Sequence, residues 1–447
     1  MAGDVINTAY GPISAEFTKS SLAGLCVPDV GIQTGPFGSQ LHASDYVEYG
    51  TPIITVEHLG DNRINHNNLP RVTAEDKERL SRYTLITGDI VFSRVGSVDR
   101  RALVHPEENG WLFSGRCLRV RPDRNKIDPG FLSWFFGLPT FQEHIRQIAV
   151  GATMPSLNTK ILGDVTIYYP PSLKEQQAIA FILGALDDKI ELNRQMNRTL
   201  EAMARAIFKS WFVNFDPVRA KAEGRQPSGL KPEIVDLFPD AFEDSELGEI
   251  PRRWEVGTLA ALGSLNPETW SKETRPAVIN YVDLSNTKWG RIDAVTTYSK
   301  QDAPSRAQRI LRLRDTIVGT VRPGNGSYAF ICEDGLTGST GFAVLRPLRP
   351  TYAEFVYLAA TAGENIETLS HLADGGAYPA VRSEVVARTP VIRPTDGLLQ
   401  RFSRAVAPLL DKIAANERES RTLAAIRDTL LPKLISGELR VSEEAKH

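Results

Sequence analysis

The chain has 447 residues, with 52 Lys and Arg against 54 Asp and Glu and a formal net charge of −2. That length exceeds one compact core and fits two or three domains, and the balanced charge excludes a uniformly basic nucleic-acid coat while leaving room for a local basic face. Three scattered cysteines, Cys26, Cys117 and Cys332, lack the spacing of a zinc site or disulfide framework, which excludes a stapled secreted scaffold and suits a reducing cytoplasm.

In chain order, MAGDVINTAYGPISAEFTKS lacks the basic start and apolar run of a signal peptide. No stretch reaches the roughly 18 apolar residues of a membrane span, so a soluble, cytoplasmic protein without membrane partners is expected. Residues 1–170 read as a mixed domain. The glycine-rich loop GIQTGPFGSQL lies between strand-like pieces, and PIITVEHL, TLITGDIVFSRV and WLFSGRCLRVRP follow as candidate strands. FLSWFFGLPTFQEHIRQIAV reads as helix, with Pro139 as its kink or break, then GATMPSLNTK as loop and VTIYY as a last strand.

Residues 171–212 carry apolar residues at spacings of three and four, Leu183, Leu186, Ile190, Leu200, Met203 and Ile207, which predicts a long coiled-coil helix. Residues 213–251 are rich in Pro, Gly and charge and read as a linker with a short helix at Pro232 to Leu237. Residues 252–393 repeat the first domain's plan. INYVDLSNTKWGRI echoes IITVEHLGDNRI, RDTIVGTVRPGNGS echoes GDIVFSRVGSVDRR, TGFAVLRP echoes GRCLRVRP, AEFVYLA echoes PGFLSWF, and GGAYPAVRSEVVARTPVIRP echoes VGATMPSLNTKILGDVTIYYP. A second long helix follows over residues 394–438, with Val406, Leu409, Ile413, Leu423, Leu430 and Leu434 on its seam, and a tail over 439–447.

The two helices share letters at one constant offset: Asp188, Lys189, Ile190, Asn193, Arg198, Thr199 and Leu200 meet Asp411, Lys412, Ile413, Asn416, Arg421, Thr422 and Leu423. The chain is therefore a tandem duplication of domain plus helix. The fold class is α+β: two mixed α/β domains separated by two long antiparallel coiled-coil helices with approximate twofold symmetry. A parallel pairing would require the linker to span a whole helix, which its length allows, so that pairing stays open as the disfavoured alternative. Antiparallel pairing puts Asn193 and Asn416 opposite each other as helix-register residues, since a seam amide fixes register at a cost in stability. The alternative is that one or both amides point to water.

Catalytic motifs are missing. There is no Walker sequence, HExxH, GxSxG or dinucleotide fingerprint, and neither YYPPS nor VNFDPV makes an adenine methyltransferase signature. The reading is a chain without catalysis or metal of its own.

GIQTGPFGSQLHASDY, QQAIAFILGALDDKIELNRQMNRTLE, WFVNFDPVRAKAEG, ELGEIPRRW, INYVDLSNTKWGRI and LLPKLISGELRV, in this order, closely resemble the specificity subunit of bacterial and archaeal Type I restriction-modification enzymes over nearly the whole chain. The resemblance implies two target-recognition domains, each reading one half of a split double-stranded DNA site. It implies central helices that set the gap and dock two methyltransferase subunits, with two restriction/translocase subunits in the full complex. S-adenosylmethionine, ATP and Mg would belong to those partners. A helix of about 36 residues is roughly 54 Å long, which suits half-sites about one to one and a half DNA turns apart.

Loops with glycine and short polar side chains suit close approach to a DNA backbone, and arginine suits phosphates or guanine edges. The DNA-binding candidates in the first domain are Gln33, Thr34, Phe37, Gly38, Ser39, Gln40, Arg94, Ser97, Arg100, Arg101, Thr153, Met154, Ser156 and Asn158. In the second they are Thr320, Arg322, Asn325, Ser327, Tyr328, Tyr378, Ala380 and Arg382. SLNPETWSK replaces GPFGSQ, so the first loop does not carry across. Ile207, Phe208, Trp211 and Phe212, and Leu430, Leu431, Leu434 and Ile435, exceed the apolar surface a two-helix seam needs and are candidates for partner docking; the alternative is cover by each domain's own flank. Two other classes compete: a scaffold whose duplicated domains bind protein, and an enzyme fused to its own recognition unit, which the missing cofactor motifs disfavour.

Overall fold

The computed structural model describes residues 4–36, 40–151, 153–271, 273–376 and 378–441. The chain divides into two compact units, Met1–Leu192 with Glu419–His447, and Asn193–Arg418. The dividing points fall inside two long helices, Leu173–Phe212 and Asp396–Ser436. Each unit therefore owns one mixed α/β domain and one half of each helix. Among the described residues, no helix is long and apolar enough to cross a membrane.

In the first unit a five-stranded sheet runs in the order Ile32–Thr34, Cys117–Val120, Ile90–Ser93, Arg101–Leu103, Asp61–Asn62. Alternate side chains of the central strand go to opposite faces. Ile90 and Phe92 join a core with the helices Pro129–Phe135 and Pro139–Ile148, while Val91 joins a second core with Ile53, Ile54 and Phe113. The expected break at Pro139 is present, since Pro139 opens the second of those helices at a position where its missing N–H costs nothing.

The second unit repeats this plan. Its sheet runs Gly263–Leu265, Phe342–Pro347, Thr316–Gly319, Tyr328–Phe330, with Val318 facing the helix side and Ile317 the opposite core. The duplication reaches single atoms. Arg121 donates Nε and Nη2 to the two oxygens of buried Asp89 at 2.8 and 2.7 Å, and Arg346 donates the same pair to buried Asp315 at 2.9 Å each. Each carboxylate also accepts a backbone N–H three residues earlier, from Ile86 and from Arg312. The turn before the strand takes a left-handed residue in both copies, Gly88 at φ 89° and Arg314 at φ 69°. Arginine tolerates that conformation poorly, and its guanidinium is held by the buried Glu354 carboxylate at 2.8 Å.

Beside this pair in the second unit, Glu268 accepts from Arg312 and Arg346, which hold its carboxyl down at about 2 against an ordinary 4.5. A depressed folded-state pKa contributes stability above the unfolded value that is lost as pH falls through the folded one. The second unit of the wild type is therefore expected to lose stability more steeply between pH 4.5 and about 2 than the second unit of Glu268→Gln, read by denaturant midpoints across that window.

The first long helix starts on a Ser-x-x-Glu pattern, Ser172 Oγ accepting from Glu175 N. The second stops at Gly437, whose φ of 78° and whose bare Cα, set where a Cβ would lie 2.9 Å from the Phe17 ring, both require glycine. It continues through Pro408 as well as Pro432, with Val406, Leu410, Leu431 and Leu434 buried around them. Each proline removes a helical hydrogen bond; packing offsets the loss. In both units the helix halves run antiparallel. Ile179 and Leu183 pack with Leu431, Leu434 and Ile435 in the first, and Phe208 and Phe212 meet Phe402 in the second, the latter pair at 4.9 Å between ring centroids.

Residues 213–251, read from sequence as a linker, carry helices Asp216–Ala222 and Pro232–Val235 and a hairpin of Phe242–Ser245 with Gly248–Pro251. The reason is aromatic: Phe215 and Phe238 are buried in the second unit's core beside Trp254 and Trp211. Proline and glycine here shape turns between buried anchors rather than a free tether.

Candidate nucleic-acid interface

In the first unit the chain leaves the sheet at Arg94 and runs into a loop that is clamped by a second one. Gly96 N donates to Pro155 O at 2.9 Å, Leu157 N to Arg94 O at 2.9 Å, and Val95 bridges Ser156. The second loop closes on itself through paired bonds between Val150 and Ser156 of 3.0 and 2.8 Å, around Gly151 at φ 112°. The second unit makes the same clamp. Arg322 N donates to Pro379 O at 2.7 Å, Val381 N to Thr320 O at 2.9 Å, Val321 bridges Ala380, and Asp374 and Ala380 close the loop around Gly375 at φ 121°. Two strings that merely echo in sequence thus have identical main-chain pairing.

The clamp pushes its tips outward. Met154 is 61% and Tyr378 71% exposed, and Arg322 lies over the Tyr378 ring at 4.8 Å, a cation–π contact that orients both. Ser97, Arg100 and Thr153 are exposed in the first unit, and Asn325 and Arg382 in the second. Arg116, exposed after the Gly115 turn, hydrogen-bonds this cluster through its main chain, its carbonyl accepting from Arg94 N; the sequence reading passed over it.

Other candidates lie elsewhere or point inward. Arg101, adjacent to exposed Arg100, is 2% exposed: Nε donates to Ser133 O at 3.1 Å, Nη1 to Asp61 at 3.2 Å, and burial pushes its pKa down. Gly137 leaves room for that guanidinium, since a Cβ there would stand 2.3 Å from Nη2. Arg94 is half-buried and donates to Gly115 O. Gln33 and Thr34 are strand residues paired with Arg119 and Leu118. Gln40 is held, its amide oxygen accepting from Tyr83 and its carbonyl from Arg79. Asn158 caps a helix by accepting from Ile161 N, and Ser156 donates to Val150 O. Thr320 and Ser327 are buried donors to Gly341 O and Leu284 O, and Ala380 is a bridge residue. Tyr328 is buried, its hydroxyl accepting from Arg205 and its pKa raised by that burial. Phe37, Gly38 and Ser39 lie outside the described residues.

The register residues meet, though in a different pairing from the expected one. Asn193 and Asn416 are 0% and 1% exposed. Asn193 Nδ2 donates to the Asn416 carbonyl at 3.4 Å, while Asn416 Nδ2 donates to Asn197 Oδ1 at 2.8 Å and Asn197 Nδ2 to Ile413 O at 3.4 Å. A three-amide ladder locks this stretch. The docking candidates are corrected: Phe208, Trp211 and Phe212 are buried with Phe355, Phe402 and Trp254, and Leu431, Leu434 and Ile435 with Phe131, Leu162 and Ile167. Ile207 and Leu430 pack on the same cores. Apolar excess at these helix ends is each unit's own core.

A family model described as the Type I restriction modification DNA specificity domain matches residues 29–202. The chain is 26% identical over 439 residues to the Type I restriction enzyme HindI specificity subunit of Haemophilus influenzae, covering 87% of this chain and 95% of that protein. It is 27% identical over 340 residues to the MjaIX specificity subunit of Methanocaldococcus jannaschii, covering 70% of this chain and 69% of that one. Among solved structures, the Type I restriction-modification S subunit of M. genitalium has the same fold, with a TM-score of 0.57 at 17% identity over 94% of this chain and 96% of the other.

Proposed function

We propose that this chain is a specificity subunit of a Type I restriction-modification system, as its likeness to such subunits over nearly its whole length supports, and that it reads a bipartite duplex, one half-site per unit. The observation that carries this reading is the clamp built twice, in which two loops joined by the same main-chain bonds present different tips, Thr153 and Met154 in one copy and Arg322 and Tyr378 in the other. Equal scaffolds with unlike side chains are what two readers of unlike half-sites require: main-chain geometry fixes approach to the groove and side chains select bases. Exposed Arg100, Arg116, Arg322 and Arg382 supply phosphate or guanine contacts within a nearly neutral chain.

In this reading the paired long helices set the unread gap, and the amide ladder keeps their register fixed. The chain contributes recognition only. Two methyltransferase subunits carry S-adenosylmethionine and the adenine chemistry, and two restriction subunits use ATP and Mg, in a bacterial or archaeal cytoplasm. Exchanging residues 1–170 for those of another family member is expected to alter one half-site of the methylated motif and leave the gap and the other half intact. Alteration of both halves contradicts independent readers.

A further inference from the structure

The echo of DNRI by WGRI aligns Asp61 with Trp289 and Asn62 with Gly290, and the strands agree: Asn62 pairs with Ala102 and Gly290 with Ala329, both in parallel. The two copies put opposite chemistry at this point. Asp61 ion-pairs with Arg101 and Arg427. Trp289 is 57% exposed, at the tip of a two-residue hairpin between Thr287–Lys288 and Arg291–Ile292. Both tip residues have positive φ, Trp289 at 50° and Gly290 at 86°, as a tight turn matched to strand twist demands. Asn, Asp and Gly favour the first position; a tryptophan is strained there. A bulky apolar side chain that is both strained and left in solvent gains nothing for the fold by its exposure.

The surroundings of Trp289 belong to the reading surface. Its N–H donates to Gly326 O at 2.6 Å, and its ring stands edge-on to Tyr328 at 6.0 Å. Gly326 has no room for a side chain, because a Cβ would lie 2.6 Å from the indole. Gly326 closes the short turn Pro323–Asn325 that Arg322 opens, and Arg322 carries Tyr378. The hairpin is thus seated on the same turn as Arg322, Asn325 and Tyr378, with exposed Lys288 and Arg291 on either side of its tip.

We propose that Trp289 is a specificity-determining residue of the second unit, whose indole makes an apolar contact with the bases of the second half-site while Lys288 and Arg291 lie near phosphates. This rests on the DNA-reading role proposed above. Apolar side chains inserted at base steps act through base stacking and deformability, and the strain at Trp289 is the kind that persists where function maintains it. The first unit, with Asp61 turned to arginines, makes no such contact.

The test uses the full chain with its methyltransferase subunits, a randomised duplex DNA pool, and the variants Trp289→Asn and Trp289→Phe. Asparagine accepts positive φ, so Trp289→Asn is expected to keep or raise the melting temperature. It should leave the first half-site unchanged, relax at least one base position of the second, and weaken binding to the wild-type motif about tenfold or more. Trp289→Phe, which keeps an aromatic ring, is expected to retain the position and lose less. An unchanged motif and affinity for Trp289→Asn overturn the proposal. So does a fall in melting temperature with both half-sites weakened, which marks a packing role. A wild-type complex that enriches no motif removes the DNA-reading role itself, and the assignment of Trp289 with it.

Discussion

Replacing Arg101 by alanine is expected to lower the melting temperature of the first unit by roughly 10 °C, while the same change at neighbouring Arg100 leaves it within a degree or two. The side chain of Arg101 is 2% exposed, donates to the Ser133 carbonyl and pairs with Asp61. Its removal opens a cavity, leaves that carbonyl without this donor and takes a cation from a cluster in which Arg427 pairs with Asp61 and Asp187. Losses of this kind cost about 3 kcal/mol or more. Arg100 is exposed, and its change is expected to weaken DNA binding and reduce the salt dependence by about one released ion. Scanning calorimetry and binding titrations over a salt series read both. A stable Arg101→Ala unit with weakened DNA binding would reverse the assignment of the two arginines.

Inserting one heptad into each long helix, after Leu192 and after Arg418, is expected to abolish recognition of the native spacing and create recognition of a gap about three base pairs longer. Seven residues add about 10.5 Å of rise and keep the seam in phase. The native helices, 40 and 41 residues, are each about 60 Å long. The insertion points fall where the two compact units divide, so each domain keeps its own helix halves and core. Insertion into one helix alone is expected to destroy activity, because the two helices then differ in length and the Asn193–Asn416–Asn197 ladder and the ion pair of Lys189 with Glu419 can no longer both keep their register. An unchanged gap in the doubly extended chain refutes the helices as the ruler.

The duplication was legible in sequence because its echoes fall on elements with strict geometric demands. Asp89 and Asp315 each follow a left-handed residue and precede a buried strand, and Arg121 and Arg346 end the neighbouring strand at the same register. The long helices were legible from spacing, and the Pro139 break from proline chemistry. The direction of adjacent side chains was not. Arg100 and Arg101 differ by one residue at a strand start, and one residue reverses the face. The cover over Phe208, Trp211 and Phe212 was hidden because Phe215, Phe238 and Trp254 come from a stretch whose prolines and charges mask its irregularly spaced aromatics. Trp289 carries no signal of its own in sequence: it falls inside a string that echoes the first domain, and its exposure at a hairpin tip is a property of the fold.

Mapping N6-methyladenine across a genome in cells that co-express this chain with its cognate methyltransferase subunit tests the central claim most directly. The account predicts one split motif, two defined half-sites around a gap of fixed length and free sequence. A contiguous motif, or no methylation despite a stable complex, would contradict it.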